Sequence, residues 1–267
     1  MPRIAWLTDL HVVACDSHQR DRFVVELRGL HVDRVVITGD ISNAHHLQAD
    51  LTAIVEAAPA PVDFVLGNHD FYHSSIGKVR EVAARMAEAR EDLTYLSIPG
   101  TLVEMDGVII VGHDGWGDAR LGNWSGTEVQ LNDTRLIRDL VGLARPDLIA
   151  RLRYLGDEAG AHLRGVLAMV PESCKQVIIA THVPPWAGAA WHEGEPSEPD
   201  YLPFFACQAS GEAILEAAQA APETRFLVLC GHTHSPGEYF PEDAPNVRVL
   251  TGRADYGSPR VQQVIQL

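Results

Sequence analysis

The sequence holds little cysteine, an excess of acid over base, and no long apolar run. Its four cysteines, Cys15, Cys174, Cys207 and Cys230, form no C-x-x-C pair and no zinc-finger spacing. In a chain of 267 residues they read as free, mostly buried thiols of a reducing compartment. Lys and Arg together number 21 against 36 Asp and Glu, a formal charge of −15, which disfavours non-specific binding to nucleic acid or to an anionic membrane. Bound divalent cations would make a cleft locally positive despite that balance. Nothing reaches the ~18 consecutive apolar residues of a membrane span. No basic stretch precedes Ile4-Ala5-Trp6-Leu7, so the expectation is a protein without a signal peptide, placed in the cytoplasm. Internal repeats, low-complexity segments and interdomain linkers are also missing, and residues 1–267 are read as one domain.

What is present is a series of short apolar runs, each closing on a cluster of polar residues. Residues 3–11 read as a buried strand ending in Asp9 and His11. Residues two apart on an extended backbone point the same way, so these two are expected to reach one ion together, with Leu10 turned into the core. Val35–Thr38 is a second strand ending in Gly39-Asp40, and Val62–Leu66 a third, entering the turn Gly67-Asn68-His69-Asp70. Val177–Thr181 ends on His182, and Phe226–Cys230 ends on Gly231-His232-Thr233-His234. Helices are expected over about 18–30, 46–58, 75–91, 147–170 and 210–221, with Gly156 and Gly160 weakening the fourth. Asp106-Gly107 predicts a hairpin between 102–104 and 108–111. Residues 247–250 and 261–267 are candidate closing strands. Residues 186–207 show no period and read as a functional loop or lid.

Ligands of open α/β sheets bind beyond the carboxyl ends of the strands, so the five polar clusters are expected to converge. Asp9, His11, Asp40, Asn68, His182, His232 and His234 offer two carboxylates, one amide oxygen and four imidazoles. Seven donors are too many for one tetrahedral zinc. Mixed nitrogen and oxygen donors without thiolate suit Mn, Fe or Zn, and with one carboxylate bridging they serve two ions.

At these residues the chain resembles the calcineurin-like metallophosphoesterase superfamily, whose pattern runs D-x-H, G-D, G-N-H-[DE], a lone H after a strand, and G-H-x-H. Here the series is Asp9-Leu10-His11, Gly39-Asp40, Gly67-Asn68-His69-Asp70, His182 and Gly231-His232-Thr233-His234. The resemblance implies a four-layer α/β/β/α sandwich of two mixed sheets flanked by helices. It implies that Asp9, His11 and His234 hold one metal, that Asn68, His182 and His232 hold a second, and that Asp40 bridges. His69 would contact the phosphoester oxygen, with Asp70 orienting its ring and helping to keep it protonated. The implied activity is hydrolysis of a small phosphomonoester or phosphodiester by a hydroxide held between two ions. A nuclease, a cyclic-nucleotide phosphodiesterase or a catalytically silent metal-binding scaffold are the alternatives. The Ser/Thr protein phosphatases of the superfamily carry G-D-x-V-D-R-G, where this chain has Gly39-Asp40-Ile41-Ser42-Asn43-Ala44 and no such arginine.

Other polar residues read less sharply. Gly115-Trp116-Gly117-Asp118 resembles a substrate-side loop of some bacterial members. His113 and Asp114 end an apolar run and either support the site or bond locally. His45 and His46 line its rim or are solvated turn residues. His192, Trp186 and Trp191 either line a substrate pocket or pin their loop. Arg120 and Arg253 are candidates for binding the non-reacting part of a substrate. His18, His31, His73 and His162 read as surface histidines, and Cys230 as a packed strand residue.

Overall fold

Parallel strands whose two faces are both covered read as unbroken apolar runs, and Ile4–Leu7, Val35–Ile37, Val108–Val111, Val177–Ala180 and Phe226–Cys230 obey that rule. A computed structural model describes residues 2–267. Its first sheet holds β1 (Arg3–Leu7), β2 (Arg34–Thr38), β3 (Val62–Val65), β4 (Leu93–Tyr95) and β13 (Gln263–Gln266), in the order β13-β1-β2-β3-β4. The second holds β5 (Val103–Met105), β6 (Val108–His113), β7 (Gln176–Thr181), β10 (Arg225–Cys230), β11 (Gly237–Tyr239) and β12 (Val247–Thr251), in the order β11-β12-β10-β7-β6-β5. The β1-β2-β3-β4 and β6-β7-β10-β12 pairings are parallel; the pairings of β13, β5 and β11 are antiparallel.

Alternation sorts the side chains into layers. Ile4, Trp6, Val36 and Val65 of the first sheet meet Ile110, Ile178, Ala180, Leu227 and Leu229 of the second, forming the layer between the sheets. The residues between them face outward: Ala5, Leu7, Val35, Ile37 and Phe64 on one side, Val111, Val177, Ile179 and Val228 on the other. Helices α1 (Ser17–Arg28), α2 (Leu47–Ala57) and α3 (Ile76–Glu88) cover the first outer face. Helices α5 (Arg145–Leu167) and α7 (Gln208–Ala220) cover the second. Each fully buried Leu, Ile or Val contributes about 1.5–3 kcal/mol, so the three apolar layers dominate the stability. The arrangement is the four-layer α/β/β/α sandwich that the resemblance implied.

Local chemistry sets the element ends. Asp16 and Gln19 close a capping box at the start of α1, each side chain accepting from the other's backbone N–H at 2.8 and 2.7 Å. Asp106 and Gly107, both left-handed at φ 48° and 80°, make the tight turn between β5 and β6. Helix α5 runs unbroken through Gly156 and Gly160, which lie buried where it meets Asp118 and Ala209. Residues 186–207, expected without structure, contain a 3-10 turn (Ala187–Ala189), a two-stranded ribbon of β8 (Trp191–His192) and β9 (Glu195–Pro196), and α6 (Leu202–Phe205). Elements of two to four residues are too short to leave a period in the sequence. The four cysteines are free and buried, and no helix among the described residues is long and apolar enough to cross a membrane.

Candidate metal centre

The carboxyl ends of β1, β2, β3, β7 and β10 lie at one edge of the two sheets, and each passes directly into one of the five polar clusters. The side chains of Asp9, His11, Asp40 and His234 bring one ligand atom each to within 4.8 Å of one another. Nε2 of His11 lies 3.1 Å from Nε2 of His234 and 3.7 Å from Oδ2 of Asp40. Nε2 of His234 lies 3.4 Å from Oδ1 of Asp9. Beside this group stands a second, in which Oδ1 of Asn68 is 3.1 Å from Nε2 of His182 and 3.0 Å from Nδ1 of His232. Oδ1 of Asp40 is 3.4 Å from Nε2 of His182, so the two oxygens of this carboxylate face different groups.

The proton positions within the second group follow from its neighbours. Nδ1 of His182 is 2.9 Å from the carbonyl of Thr38, and Nε2 of His232 is 3.1 Å from the carbonyl of Phe204. A carbonyl only accepts, so both nitrogens donate, and the opposite nitrogens are turned toward Asn68 and Asp40. The amide of Asn68 is fixed the same way: its Nδ2 donates to Oδ1 of Asp133 at 2.8 Å, leaving Oδ1 inward. Nδ1 of His232 and Oδ1 of Asn68 are therefore two acceptors 3.0 Å apart, a contact that a cation between them resolves. Burial lowers His11 to about 4 and His232 to about 3, so both are neutral and ready to ligate. Burial would also lower His182, but Asp40 and Asp9 overcome it and hold the ring at about 10. Burial would raise Asp9, yet His234 and His182 bring it down to about 2. By donor chemistry and placement these residues fit a pair of metal ions.

The backbone is shaped for this convergence. Asp9, His11, Asp40, His232 and His234 all have positive φ, between 42° and 71°. The pleat of an extended strand does not align Asp9 and His11 as expected: β1 ends at Leu7, and both residues point inward from left-handed turns, with Leu10 buried between them. Such conformations cost energy and persist only where the surroundings enforce them. Enforcement is visible in the pairs Asp9 N to Gly39 O (3.0 Å), His11 N to Asp40 O (2.9 Å) and Gly231 N to His182 O (2.9 Å). A Cβ at Gly67 would collide with the carboxylate and backbone nitrogen of Asp40, and one at Gly231 with the carboxylate of Asp9 and the hydroxyl of Thr8.

His69 sits at the rim, its side chain 22% exposed and its Nε2 3.9 Å from Oδ2 of Asp40. Its backbone N–H donates to Oδ1 of Asp40 at 2.8 Å, and its ring packs 4.3 Å from that of Tyr72. Asp70 does not do what the resemblance implied. Its carboxylate is fully buried and accepts from the backbone N–H groups of Ser42 (2.7 Å) and Gly67 (2.8 Å), so it holds the turn rather than the His69 ring. Burial, with Asp40 nearby, raises it to about 7.

His113 bonds locally, Nδ1 accepting from Gly115 N–H at 3.1 Å, and packs on His162 at 4.9 Å. His162 is half-buried, its Nε2 turned inward without a hydrogen-bond partner. Asp114 does support the site. Its carbonyl accepts from His182 N–H at 3.0 Å, and its carboxylate from Leu66 N–H at 2.8 Å, just ahead of the Gly67 turn. His45 and His46 are exposed, one stacked on exposed His73, the other bonded to Asn43. Trp116 is a core residue against Phe71, and Arg120 is engaged by Asp118 and Asp157. His192 packs on Tyr201 and Phe205, and Phe205 packs edge-on to His232 at 5.3 Å, so the 186–207 segment borders the site. Cys230 packs in the core beneath β12, its Sγ 3.4 Å from Leu250 O. Asp133 and Tyr256 belong to the site's surroundings and carry no motif that the sequence would have shown.

The fold is similar to that of the phosphopantetheinyl hydrolase PptH from Mycobacterium tuberculosis, at TM-score 0.68 and 14% identity, covering 96% of this chain and 90% of that one. It is similar also to a dimetal phosphatase from Danio rerio, at TM-score 0.54 and 17% identity, covering 95% and 88%. No curated protein matches the sequence. A family model described as calcineurin-like phosphoesterase matches residues 2–236, across all five polar clusters. With most of its length accounted for in this way, the chain belongs to the calcineurin-like phosphoesterase family, whose members are metal-dependent phosphoesterases.

Proposed function

We propose that this chain hydrolyses a small phosphomonoester or phosphodiester at a dinuclear metal centre. Asp9, His11 and His234 hold one ion, Asn68, His182 and His232 hold the other, and Asp40 bridges. The observation that carries this reading is the placement of Asp40, whose two carboxylate oxygens face two separate donor groups. When bound, the metal pair supplies charge neutralisation for the phosphoryl group and an activated water. The donor set, nitrogen and oxygen without sulfur, favours Mn, Fe or Zn. His69, at the rim and beside Asp40, donates a hydrogen bond or a proton to the ester oxygen of the leaving group. Asp70 supports that role at one remove, by fixing the turn that carries His69. Four free, buried thiols support a reducing, cytoplasmic setting.

The test is turnover of paired chromogenic monoesters and diesters by protein reconstituted with Mn, Fe, Zn or Co, against a metal-free control. The name of the Mycobacterium tuberculosis neighbour adds a phosphopantetheinyl ester to the panel. His69→Ala is expected to lower kcat by about 10²–10⁴-fold with both metals retained. Unchanged turnover removes His69 from the chemistry. Asp40→Asn is expected to deplete both ions together by elemental analysis, and full occupancy of both would refute the bridge.

A further inference from the structure

Residues 252–262 form a pinned loop that crosses the mouth of the metal centre. Gly252 N–H donates to Cys230 O at 2.9 Å and Ala254 N–H to His234 O at 3.1 Å, so the loop is tied to the backbone of the last metal motif. Arg253 N–H donates to Oε1 of Gln262 at 2.9 Å, and Nε2 of Gln262 donates back to Arg253 O at 2.7 Å. Oδ2 of Asp255 accepts from Arg253 Nε at 3.1 Å and from Arg260 at 2.8 Å. Both arginines are thus engaged in shaping the loop, and Arg253 is not turned to a substrate as its sequence position allowed.

What this loop presents is Tyr256. Its ring centroid lies 4.6 Å from that of His11, 5.4 Å from His234 and 6.2 Å from His69, yet the residue is 59% exposed. A single exposed aromatic is ordinary on a protein surface, but this one lies over the site's histidines on a loop whose backbone is fixed on either side by side-chain bonds. Here one part of the ring packs against the site's histidines, with His69 the next ring along, and the rest is open to solvent.

Resting on the reading of His69 as the group that meets the leaving-group oxygen, we infer that Tyr256 is a specificity-determining residue. Its ring is the wall against which the leaving-group arm packs, and the substrate class it selects is an ester of a planar aromatic group, aryl or nucleoside. An aromatic arm gains stacking contact there that an alkyl or glyceryl arm cannot make.

The test separates binding from turnover. Affinities of metal-loaded protein for phenylphosphonate and methylphosphonate, neither of which is hydrolysed, are measured by calorimetry for wild type, Tyr256→Phe and Tyr256→Leu. Wild type is expected to prefer the phenyl compound by about three- to tenfold, the range of an aromatic contact. Tyr256→Phe keeps that preference, Tyr256→Leu abolishes it, and metal content is the same in all three. In turnover, Tyr256→Leu raises KM for a 4-nitrophenyl ester and leaves that for a glyceryl ester unchanged. Equal affinity for the two phosphonates in wild type, or a preference surviving in Tyr256→Leu, overturns the inference. So does its loss in Tyr256→Phe, which would assign the effect to the hydroxyl, or a fall in metal content, which would make Tyr256 a support of the centre. A phenyl preference in protein that turns over no ester would count against the proposed function and leave the role of Tyr256 standing.

Discussion

Asn68 can offer an oxygen to a cation only while its amide is held one way round, and Asp133 does the holding. The same Oδ1 of Asp133 accepts from Tyr72 O–H at 2.9 Å, and the Tyr72 ring packs on His69, so one buried carboxylate orients residues on both sides of the turn. Asp133→Ala is expected to weaken metal binding at the second group by about 10–100-fold, the usual effect of losing a partner behind a ligand. Titration of metal-free protein with Zn or Mn by calorimetry measures it. The candidate ligands were legible in the sequence as a set, because Asp, His and Asn after apolar runs have few structural reasons to recur five times, and the fold does bring them together. Asp133 was not, since it follows the irregular 119–132 stretch and donates nothing to a metal. The Asp70 assignment failed for a physical reason too: adjacency to His69 says nothing of direction, and two backbone N–H groups took its carboxylate first.

At the scale of elements, the long helices and the parallel strands other than the three-residue β4 were readable from periodicity and apolar runs, and their observed ends fall within a few residues of expectation. The short pieces between 186 and 207 were not, because a two-residue strand has no period. Neither was the left-handed backbone at five candidate ligands, which follows from packing between turns. One of those turns depends on a close approach. Gly231 lies against the carboxylate of Asp9, and His232 N–H donates to Oδ1 of Asp9 at 3.1 Å. Gly231→Ala is therefore expected to push Asp9 aside and cost the first ion at least about tenfold in affinity, with the fold intact by circular dichroism. Elemental analysis after dialysis against a weak chelator reports it, and full retention of both ions would show that the turn can give way.

Across the whole molecule, the two sheets are joined by more than their apolar layer. Asp114 follows β6 of the second sheet, and its carboxylate accepts from Leu66 N–H (2.8 Å) and Tyr95 O–H (2.8 Å) of the first, and from Arg80 of α3 (2.8 Å). Burial alone would raise this carboxyl, but Arg80, His113 and the Leu66 N–H hold it below the ordinary 3.8. An acid depressed on folding stabilises fully above its unfolded value, and that contribution is lost as pH falls through the lower folded one. Asp114→Asn is thus expected to cost about 1.5–3 kcal/mol at pH 7, the range for a hydrogen bond to a charged group, since Arg80 loses its buried partner and keeps only Glu158. Urea unfolding should show the gap from wild type narrowing below pH 3.8.

Strand order also sets a timetable. β1 is flanked by β2, the next strand along the chain, and by β13, which follows far later in it. At about 5–20 residues per second a ribosome needs roughly 10–50 s to travel from one to the other. Throughout that interval the outer edge of Ile4-Ala5-Trp6-Leu7 has no partner from its own chain. An open apolar edge is a template for any other strand. The nascent chain is thus most vulnerable to its neighbours on the polysome until β13 emerges to cover that edge, and faster elongation shortens the exposure.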